Sequence, residues 1–239
     1  MEKSSDKKVK RLESREQWSD YFQSGWEINN GRTQTRLFAE AFAKYTCIDR
    51  LSCKSVLDSS CALGDAIPIL GRIFPSAELF GSDFSEVAID RCNAEYSNLS
   101  SFSVNSIENL EGDFDVIYSS ATLEHFVDWQ QKARILLKHC KMLCILVPFN
   151  EQQFGRDLFP TPESDHVATF RQNSFDYLVE EGIAEGITNV SVFRVPGAWS
   201  WTITDYVIQP LKNLMRPLLG RPQFWNKKMV LFEIKSNSY

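Results

Sequence analysis

The stretch 56-VLDSSCALGD-65 decides the fold of this chain. Two apolar residues open it, Asp58 closes the apolar run, and small residues lead on to Gly64. In a parallel sheet, such a passage from strand to turn lies at the carboxyl edge, where ligands bind. A nucleotide-binding turn usually carries glycines, which let a phosphate approach the backbone. Ser60 and Ala62 stand in those places here, and they are small enough to keep the backbone near a ligand provided that their φ angles stay negative.

Beyond this stretch, segments with strand and helix patterns alternate. Predicted strands lie at 55–57, 78–81, 101–104, 114–118 and 142–147, and predicted helices lie at 65–74, 85–96 and 128–138. The strands are almost continuously apolar, which is typical of a parallel sheet covered by helices on both faces. After Pro148, the alternating segments 190–195 and 228–234 predict two further strands, antiparallel at one edge. The sequence therefore predicts an α/β protein with a Rossmann-like, doubly wound, mostly parallel seven-stranded sheet and an antiparallel edge strand.

The composition argues against several classes of protein. A net charge of -5 disfavours broad, charge-driven binding of nucleic acid. The N-terminal residues lack the apolar core of a signal peptide, and no apolar run approaches the ~20 residues of a membrane span. The six cysteines include no Cys-x-x-Cys pair, which favours reduced thiols over a zinc or redox site. We therefore expect a cytoplasmic protein.

A second aspartate stands at the end of the next predicted strand. Asp83 lies in 80-FGSDFSEVAI-89, about 20 residues beyond Gly64. A carboxylate in this position can accept hydrogen bonds from the hydroxyls of a ribose. Because the preceding turn lacks the glycines that a pyrophosphate requires, the two features together predict a ligand that has a ribose and no phosphate.

The opening stretch resembles motif I of class I S-adenosylmethionine-dependent methyltransferases, whose usual form is Val-Leu-Asp-x-Gly-Cys-Gly-x-Gly. Asp58, Cys61 and Gly64 match that form, whereas Ser60 and Ala62 depart from it. S-adenosylmethionine carries an adenosine and a sulfonium but no phosphate, which agrees with the predicted ligand.

Three later stretches resemble further motifs of the same family, in the same order. They are 81-GSDFSEVAID-90, 114-FDVIYSSATLEHFVD-128 and 141-KMLCILVPFNE-151. The resemblance thus runs from about 56 to 148. His139 and Cys140 replace the usual glycine pair before the fifth strand. After the third strand, Asn105 and Ser106 stand where an acid near the adenine is usual.

The resemblance implies S-adenosylmethionine as the cofactor and suggests which residues contact it. Asp58, Ser60, Ala62, Gly64 and Ser119 would line the methionine and ribose side, Asp83 and Phe84 the ribose, and Asn105, Ser106 and Ile107 the adenine. The segment 30-NGRTQT-35 resembles the N-terminal helical lid of small-molecule methyltransferases, with Trp26 and Gln34 as candidates for contact. The aromatic residues of 18–26 either belong to this lid or pack a helix on the sheet. We treat 1–239 as one domain, with a tail and lid (1–45), a cofactor-binding core (50–150) and acceptor-side elements with the last strands (151–239).

Methyl transfer to a hydroxyl needs a group that removes the proton, and a histidine fits that role. His166, in the connection after the fifth strand, is the first candidate and His125, after the fourth strand, is the second. Both also have structural interpretations, since His125 could pack and cap a helix and His166 could tie down a loop. His139 precedes the fifth strand and is expected at the opposite edge. No metal is expected, because the acid that accompanies a Glu-His pair in some ubiquinone-pathway methyltransferases is Ala121 here.

The expected acceptor is a small molecule, methylated on oxygen. The pattern 148-PFNE-151 with a later Asp-His-Val resembles bacterial methyltransferases of sugar and polysaccharide pathways, so a sugar hydroxyl is the first candidate. Three aromatic residues either form an acceptor pocket or belong to the core: Trp199, Trp201 and Phe224. The segment 205–222 covers either the acceptor site or the core. Alternatives are an amine acceptor, a phenolic or quinone acceptor, and a non-catalytic protein of this fold that binds a partner. A nicotinamide dehydrogenase is a weaker alternative, and a homodimer is left open.

Overall fold

The computed structural model describes residues 15–150, 166–196 and 226–238. The N-terminal region is helical. Helix α1 (Arg15–Asp20) continues through a π-helical turn (Tyr21–Gly25) and a short helical piece (Trp26–Ile28), and helix α2 (Gly31–Tyr45) follows. Among the described residues, no helix is long and apolar enough to cross a membrane.

Seven strands form one sheet in the order β3-β2-β1-β4-β5-β7-β6. The strands are β1 (Ser55–Ser59), β2 (Glu78–Asp83), β3 (Ser101–Val104), β4 (Phe114–Ser120), β5 (Cys140–Pro148), β6 (Ala184–Pro196) and β7 (Asn226–Ser236). The helices between them are α3 (Ile67–Ile73), α4 (Glu86–Tyr96), α5 (Trp129–Lys138) and α6 (Asp176–Glu180).

All strands are parallel except β7, which is antiparallel to both β5 and β6. The predicted fold, a mostly parallel seven-stranded α/β sheet with N-terminal helices, is therefore confirmed. One detail differs: β6 takes the edge, so the antiparallel strand β7 lies one place inside it.

Two apolar cores cover the two faces of the sheet. On one face, α2 and α3 pack on β1 and β4, and the rings of Phe42 and Tyr118 lie 4.8 Å apart. On the other face, α5 and α6 pack against residues such as Leu57 and Phe232. Because side chains alternate along a strand, Asp58 lies on the α2 face, two residues after Val56.

Several strands extend beyond the predicted ends. β1 continues to Ser59, β2 to Asp83 and β4 to Ser120. Ser59 is paired on both sides, with Ser82 in β2 and Ser119 in β4. The apolar pattern stops earlier than the hydrogen-bonded ladder, and the strand tips therefore carry polar residues to the carboxyl edge.

Candidate active site

The turn after β1 adopts a left-handed backbone at three residues. The φ angles are 62° at Ser60, 49° at Ala62 and 76° at Gly64. The condition that Ser60 and Ala62 keep negative φ is therefore not met. The turn is held by neighbouring groups: the Cys61 N–H donates to the Ser82 carbonyl at 2.9 Å. A left-handed conformation costs a non-glycine residue roughly 1–2 kcal/mol, so these contacts maintain a shape that glycine would adopt freely.

Asp83 fastens this turn to the tip of β2. Its Oδ2 accepts a hydrogen bond from the Ala62 N–H, and its Oδ1 accepts one from the Ser85 N–H, both at 3.0 Å. The side chain is buried, and burial raises the pKa of Asp83 to about 6 even though backbone N–H groups oppose the shift. An ionised carboxylate offers about four acceptor sites, so Asp83 retains capacity to accept a hydrogen bond from a ligand hydroxyl.

Asp58 lies on the neighbouring strand, on the same face as Asp83. The register pairs Asp58 with Gly81, and Asp83 follows two residues later. Asp58 is 3% exposed, and its Oδ2 has no hydrogen-bond partner among the described residues. Burial raises the pKa of Asp58 well above its usual value, and the nearby Asp83 carboxylate raises it further. Two buried acids therefore lie on the same face of the sheet, at neighbouring strand tips.

Other residues of the predicted cofactor set lie along the same edge. The Ser119 hydroxyl, at the end of β4, is buried and has no partner within the described part of the chain. The Asn105 N–H donates to the Asp83 carbonyl at 3.0 Å, and Ser106 and Phe84 are half-buried beside that tip. Ile107 is buried in the core of the α5 face. A buried polar atom without a partner costs about 1–3 kcal/mol, and a bound ligand would supply that partner.

The N-terminal helices lie over the turn. Phe22 packs against Ala62 and Leu63, with Trp18 and Trp26 around it. Two hydrogen bonds connect these helices to the region of α4: the Ser19 and Ser85 hydroxyls lie 2.9 Å apart, and Arg91 donates to the Phe22 carbonyl at 3.1 Å. The aromatic residues therefore both pack and cover the turn.

The entry to α2 is shaped by the same aromatic group. A Cβ atom on Gly31 would come within 2.4 Å of the Trp26 indole, so only glycine fits beneath that ring. Asn30, just before it, has a φ of 59°. Gln34 follows one turn later and is buried, at 1% exposure.

An ion network at this edge was not predicted from the sequence. Arg32 forms a bidentate pair with Glu95, with N–O distances of 2.7 and 2.5 Å. Arg36 donates to Asp65 at 2.6 Å, and Asp65 is almost fully buried directly after Gly64. The signal was present in the sequence as two arginines one helical turn apart and an acid beside the glycine turn. Their partners are 29 and 63 residues away, and spacing alone does not show such pairs.

The two candidate histidines come together. His125 ends a short 3₁₀ turn (Leu123–His125) after β4, and the His125 and His166 rings lie 4.9 Å apart. Trp18 from the N-terminal helices contacts His125 edge-on at 5.5 Å. His139 lies at the opposite edge, where its Nδ1 is 2.8 Å from the Gly112 carbonyl.

Backbone hydrogen bonds fix this histidine pair. The Glu124 carbonyl accepts from the Val167 N–H at 2.7 Å and from the Ala168 N–H at 3.1 Å. The chain next to His166 is thus attached to the turn that carries His125. The proposed acceptor-pocket residues Trp199, Trp201 and Phe224, and the segment 205–222, lie outside the described residues.

Known proteins resemble this chain at two levels. In sequence, a trans-aconitate 2-methyltransferase of Deinococcus radiodurans is 30% identical over 106 residues, which is 43% of this chain and 41% of that protein. The match thus spans about two fifths of the relative's own length.

In structure, two methyltransferases share the fold. The plantazolicin methyltransferase BpumL in complex with SAH has a TM-score of 0.57 and 18% identity, over 92% of this chain and 94% of that one. The magnesium protoporphyrin IX methyltransferase ChlM of Synechocystis PCC 6803 with bound SAM has a TM-score of 0.56 and 13% identity, over 94% of this chain and 98% of that one. A family model described as a methyltransferase domain matches residues 30–182. Because that match covers more than half of the chain, the protein belongs to this family of methyltransferase domains.

Proposed function

We propose that this protein transfers a methyl group from S-adenosylmethionine to a hydroxyl of a small molecule. The observation that carries the proposal is the pair of buried acids, Asp58 and Asp83, on one face at neighbouring strand tips. The turn at 60–64 lies directly beside them. The cofactor is supported by the family and by the SAH and SAM bound in the two similar structures.

The residues at this edge suit the cofactor's groups. The lone pairs that remain on Asp83 match ribose hydroxyls, which donate hydrogen bonds. The unpartnered oxygen of Asp58 matches a cationic group, such as the ammonium of the methionine part, because a buried carboxylate is stabilised by an opposite charge. The Ser119 hydroxyl adds a further polar contact on the methionine side, and Asn105 and Ser106 lie beside the tip for the adenine.

The reaction is a displacement at the methyl carbon. A lone pair of the acceptor oxygen forms the new C–O bond while the C–S bond breaks, and its electrons remain on sulfur as a neutral thioether. The acceptor proton goes to a ring nitrogen, of His166 in the first instance and of His125 in the second. Because charge disperses in the transition state, positioning and exclusion of water by the helical lid supply most of the catalysis.

A sugar hydroxyl is the first candidate acceptor, on the resemblance of 148–151 and the Asp-His-Val pattern to sugar-pathway methyltransferases. The similar proteins named above act, by their names, on trans-aconitate, plantazolicin and a porphyrin. An amine, a phenol or quinone, and a non-catalytic binding role are the alternatives. We place the protein in the cytoplasm and treat 1–239 as one domain, with a lid, a cofactor-binding core and acceptor-side elements.

The experiment is a calorimetric titration of the full chain with S-adenosylmethionine. We expect saturable binding below millimolar concentration, with Asp83→Ala weakening it at least tenfold because charge-assisted hydrogen bonds of about 1.5–3 kcal/mol are lost. Asp90→Ala, an exposed acid on α4, is the matched control and should leave the affinity unchanged. Absence of binding would remove the enzyme proposal. Binding without S-adenosylhomocysteine formation across sugar, carboxylate, phenol and amine acceptors would favour the non-catalytic alternative.

A further inference from the structure

We propose that Glu124, His125 and His166 form a binding site for a divalent transition-metal cation, with zinc as the first candidate. One ligand atom from each of the three residues lies within 4.8 Å of the other two. The binding itself is independent of the proposed function, whereas its use in catalysis rests on methyl transfer to an oxygen acceptor.

The fold brings these three residues together by backbone contacts on two sides. Ala121 adopts a φ of 51°, which turns the chain sharply after β4 and into the 3₁₀ turn that presents Glu124 and His125. The segment with His166 is held to that turn by the two hydrogen bonds to the Glu124 carbonyl. It is also held to the end of β5, because the Asn150 N–H donates to the Phe170 carbonyl at 2.8 Å. Main-chain hydrogen bonds therefore hold the segment with His166 both to the turn with Glu124 and His125 and to the end of β5.

The type of ligand selects the cation. Two imidazoles and one carboxylate are a common set for catalytic zinc and for non-haem iron, whereas magnesium and calcium prefer oxygen atoms. In a tetrahedral site, zinc bonds of about 2.0–2.2 Å place two ligand atoms roughly 3.3–3.6 Å apart. The three ligand atoms here lie within 4.8 Å of one another, so rotations of the side chains would bring them to that spacing.

The three residues of the site differ in burial. Glu124 is 1% exposed, and both histidines are half-buried. Three protein ligands leave at least one coordination position for water or substrate. Trp18 lies against His125, so the N-terminal helices cover the site from one direction.

The sequence predicts no metal here, because Ala121 stands one turn before Glu124, where an acid would be needed. The third ligand comes instead from His166, after β5, which no local spacing indicates. A bound cation would occupy the histidine nitrogens that otherwise accept the acceptor proton. It would make a hydroxyl in the open position more acidic, so that the proton would pass to solvent.

The test is a titration of the full chain with Co²⁺, followed by visible absorption, and with Zn²⁺, followed by calorimetry. A Cys47→Ser background removes the exposed thiol of the chain, because the other five cysteines are buried. We expect one cation per chain, and His166→Ala and Glu124→Gln should each weaken binding at least tenfold. His139→Ala is the matched control, because that histidine lies at the opposite edge and should leave the affinity unchanged.

Two outcomes would overturn the metal site. One is no binding up to millimolar cation. The other is unchanged cation binding in His166→Ala, a variant whose thermal unfolding verifies that it is folded. Because His166 is half-buried and Glu124 is buried, replacing His166 disturbs the fold less.

The catalytic use is tested by S-adenosylhomocysteine formation after removal of metal with a chelator. Loss of turnover that Zn²⁺ restores supports it. If the metal-free wild type has full turnover and His166→Ala lowers that turnover at least about 100-fold, His166 is the base. That result overturns the catalytic use of the cation, while methyl transfer stands. No methyl transfer in either state contradicts the proposed function and leaves the metal titration as the test of the site.

Discussion

Asp58 and Glu233 are buried to nearly the same degree, at 3% and 1% exposure, yet their surroundings differ. Glu233, on β7, accepts hydrogen bonds from the Thr46 hydroxyl and from the Cys47 N–H, which lies 3.1 Å from each carboxylate oxygen. Asp58 leaves one oxygen without a partner among the described residues. One acid therefore joins the end of α2 to the sheet. The other is an unsatisfied group at the edge where we propose that the cofactor binds.

The backbone shows the same contrast between the two edges of the sheet. At the amino edge, the described turns with positive φ before β4 and β6 use glycine, at Gly112 and Gly182. At the carboxyl edge and the start of α2, non-glycine residues adopt positive φ in addition to Gly64. They are Asn30, Ser60, Ala62, Ala121 and Asn150. Strained backbone of this kind concentrates at functional sites because the surrounding contacts maintain it. The strain at the carboxyl edge agrees with the proposed cofactor site there, whereas the glycine turns of the amino edge adopt positive φ without such strain.

The largest expected effect is on stability at Glu233. Glu233→Ala removes both carboxylate oxygens and leaves the Thr46 hydroxyl and the Cys47 N–H without their acceptor in a buried place. We expect the free energy of unfolding to fall by about 3 kcal/mol, measured by urea denaturation. The affinity for S-adenosylmethionine in the folded variant should stay unchanged, since β4 and β5 separate Glu233 on β7 from Asp58 on β1.

The matched control is Glu185→Ala. Glu185 pairs with Lys235 at 2.6 Å on the surface, with both side chains about half exposed. Exposed ion pairs contribute roughly 0–1 kcal/mol, so this variant should be close to wild type. A loss at Glu233 as small as that at Glu185 would contradict the structural role of the buried acid.

The sequence predicts much of the fold because its determinants are local. Continuous apolar strands alternating with amphipathic helices indicate a parallel sheet, and both Asp58 and Asp83 were placed at strand tips by that pattern. The order of the last two strands and the true strand ends were not predicted, since ladder pairing continues past the apolar residues to positions such as Ser59. The strand order and the strand ends depend on pairing with neighbouring strands, which the pattern within one strand does not show.

The candidate site is less predictable for the same reason. The left-handed φ of Ala62 results from its hydrogen bond to Asp83, 21 residues later in the chain. The proximity of Glu124 and His166 results from hydrogen bonds across two loops. The positions of His125 and His166 after the fourth and fifth strands predicted that both lie on the ligand side, but only the assembled backbone brings their rings to 4.9 Å.

The second prediction concerns pH. The folded pKa of Asp83 is about 6, above the usual value near 3.9. A raised pKa means that the folded state retains a proton that the unfolded chain has lost. This contribution to stability is complete below about pH 4 and is lost as pH rises through 6. Between pH 5 and 7.5 the free energy of unfolding should fall by about 1 kcal/mol through Asp83, with a further fall from Asp58 in the same direction.

Asp58→Asn sharpens this test. The variant removes a buried charge, so its unfolding free energy should depend less on pH than that of wild type and should be higher at pH 7.5 by about 1 kcal/mol. Cofactor affinity should fall at the same time, because the partner of a cationic group is lost. Histidine titration is common to both proteins and cancels in the difference, and Asp90→Asn serves as the exposed control. If the unfolding free energies of wild type and Asp58→Asn depend on pH in the same way, ionisation of Asp58 in the folded state carries no cost.

The smallest effect concerns Ser60, where the family usually has glycine. At a φ of 62°, Ser60→Gly relieves roughly 1–2 kcal/mol of strain and adds about 0.4–1 kcal/mol of unfolded-state entropy. We expect a net gain in unfolding free energy of about 0.5 kcal/mol, measured by urea denaturation. Ser59→Gly, the same change one residue earlier in the buried strand β1, should instead lose about 1 kcal/mol or more. Equal losses at both positions would show that the turn is not strained, and the contrast between the two edges of the sheet would then rest on Asp58 and Ser119 alone.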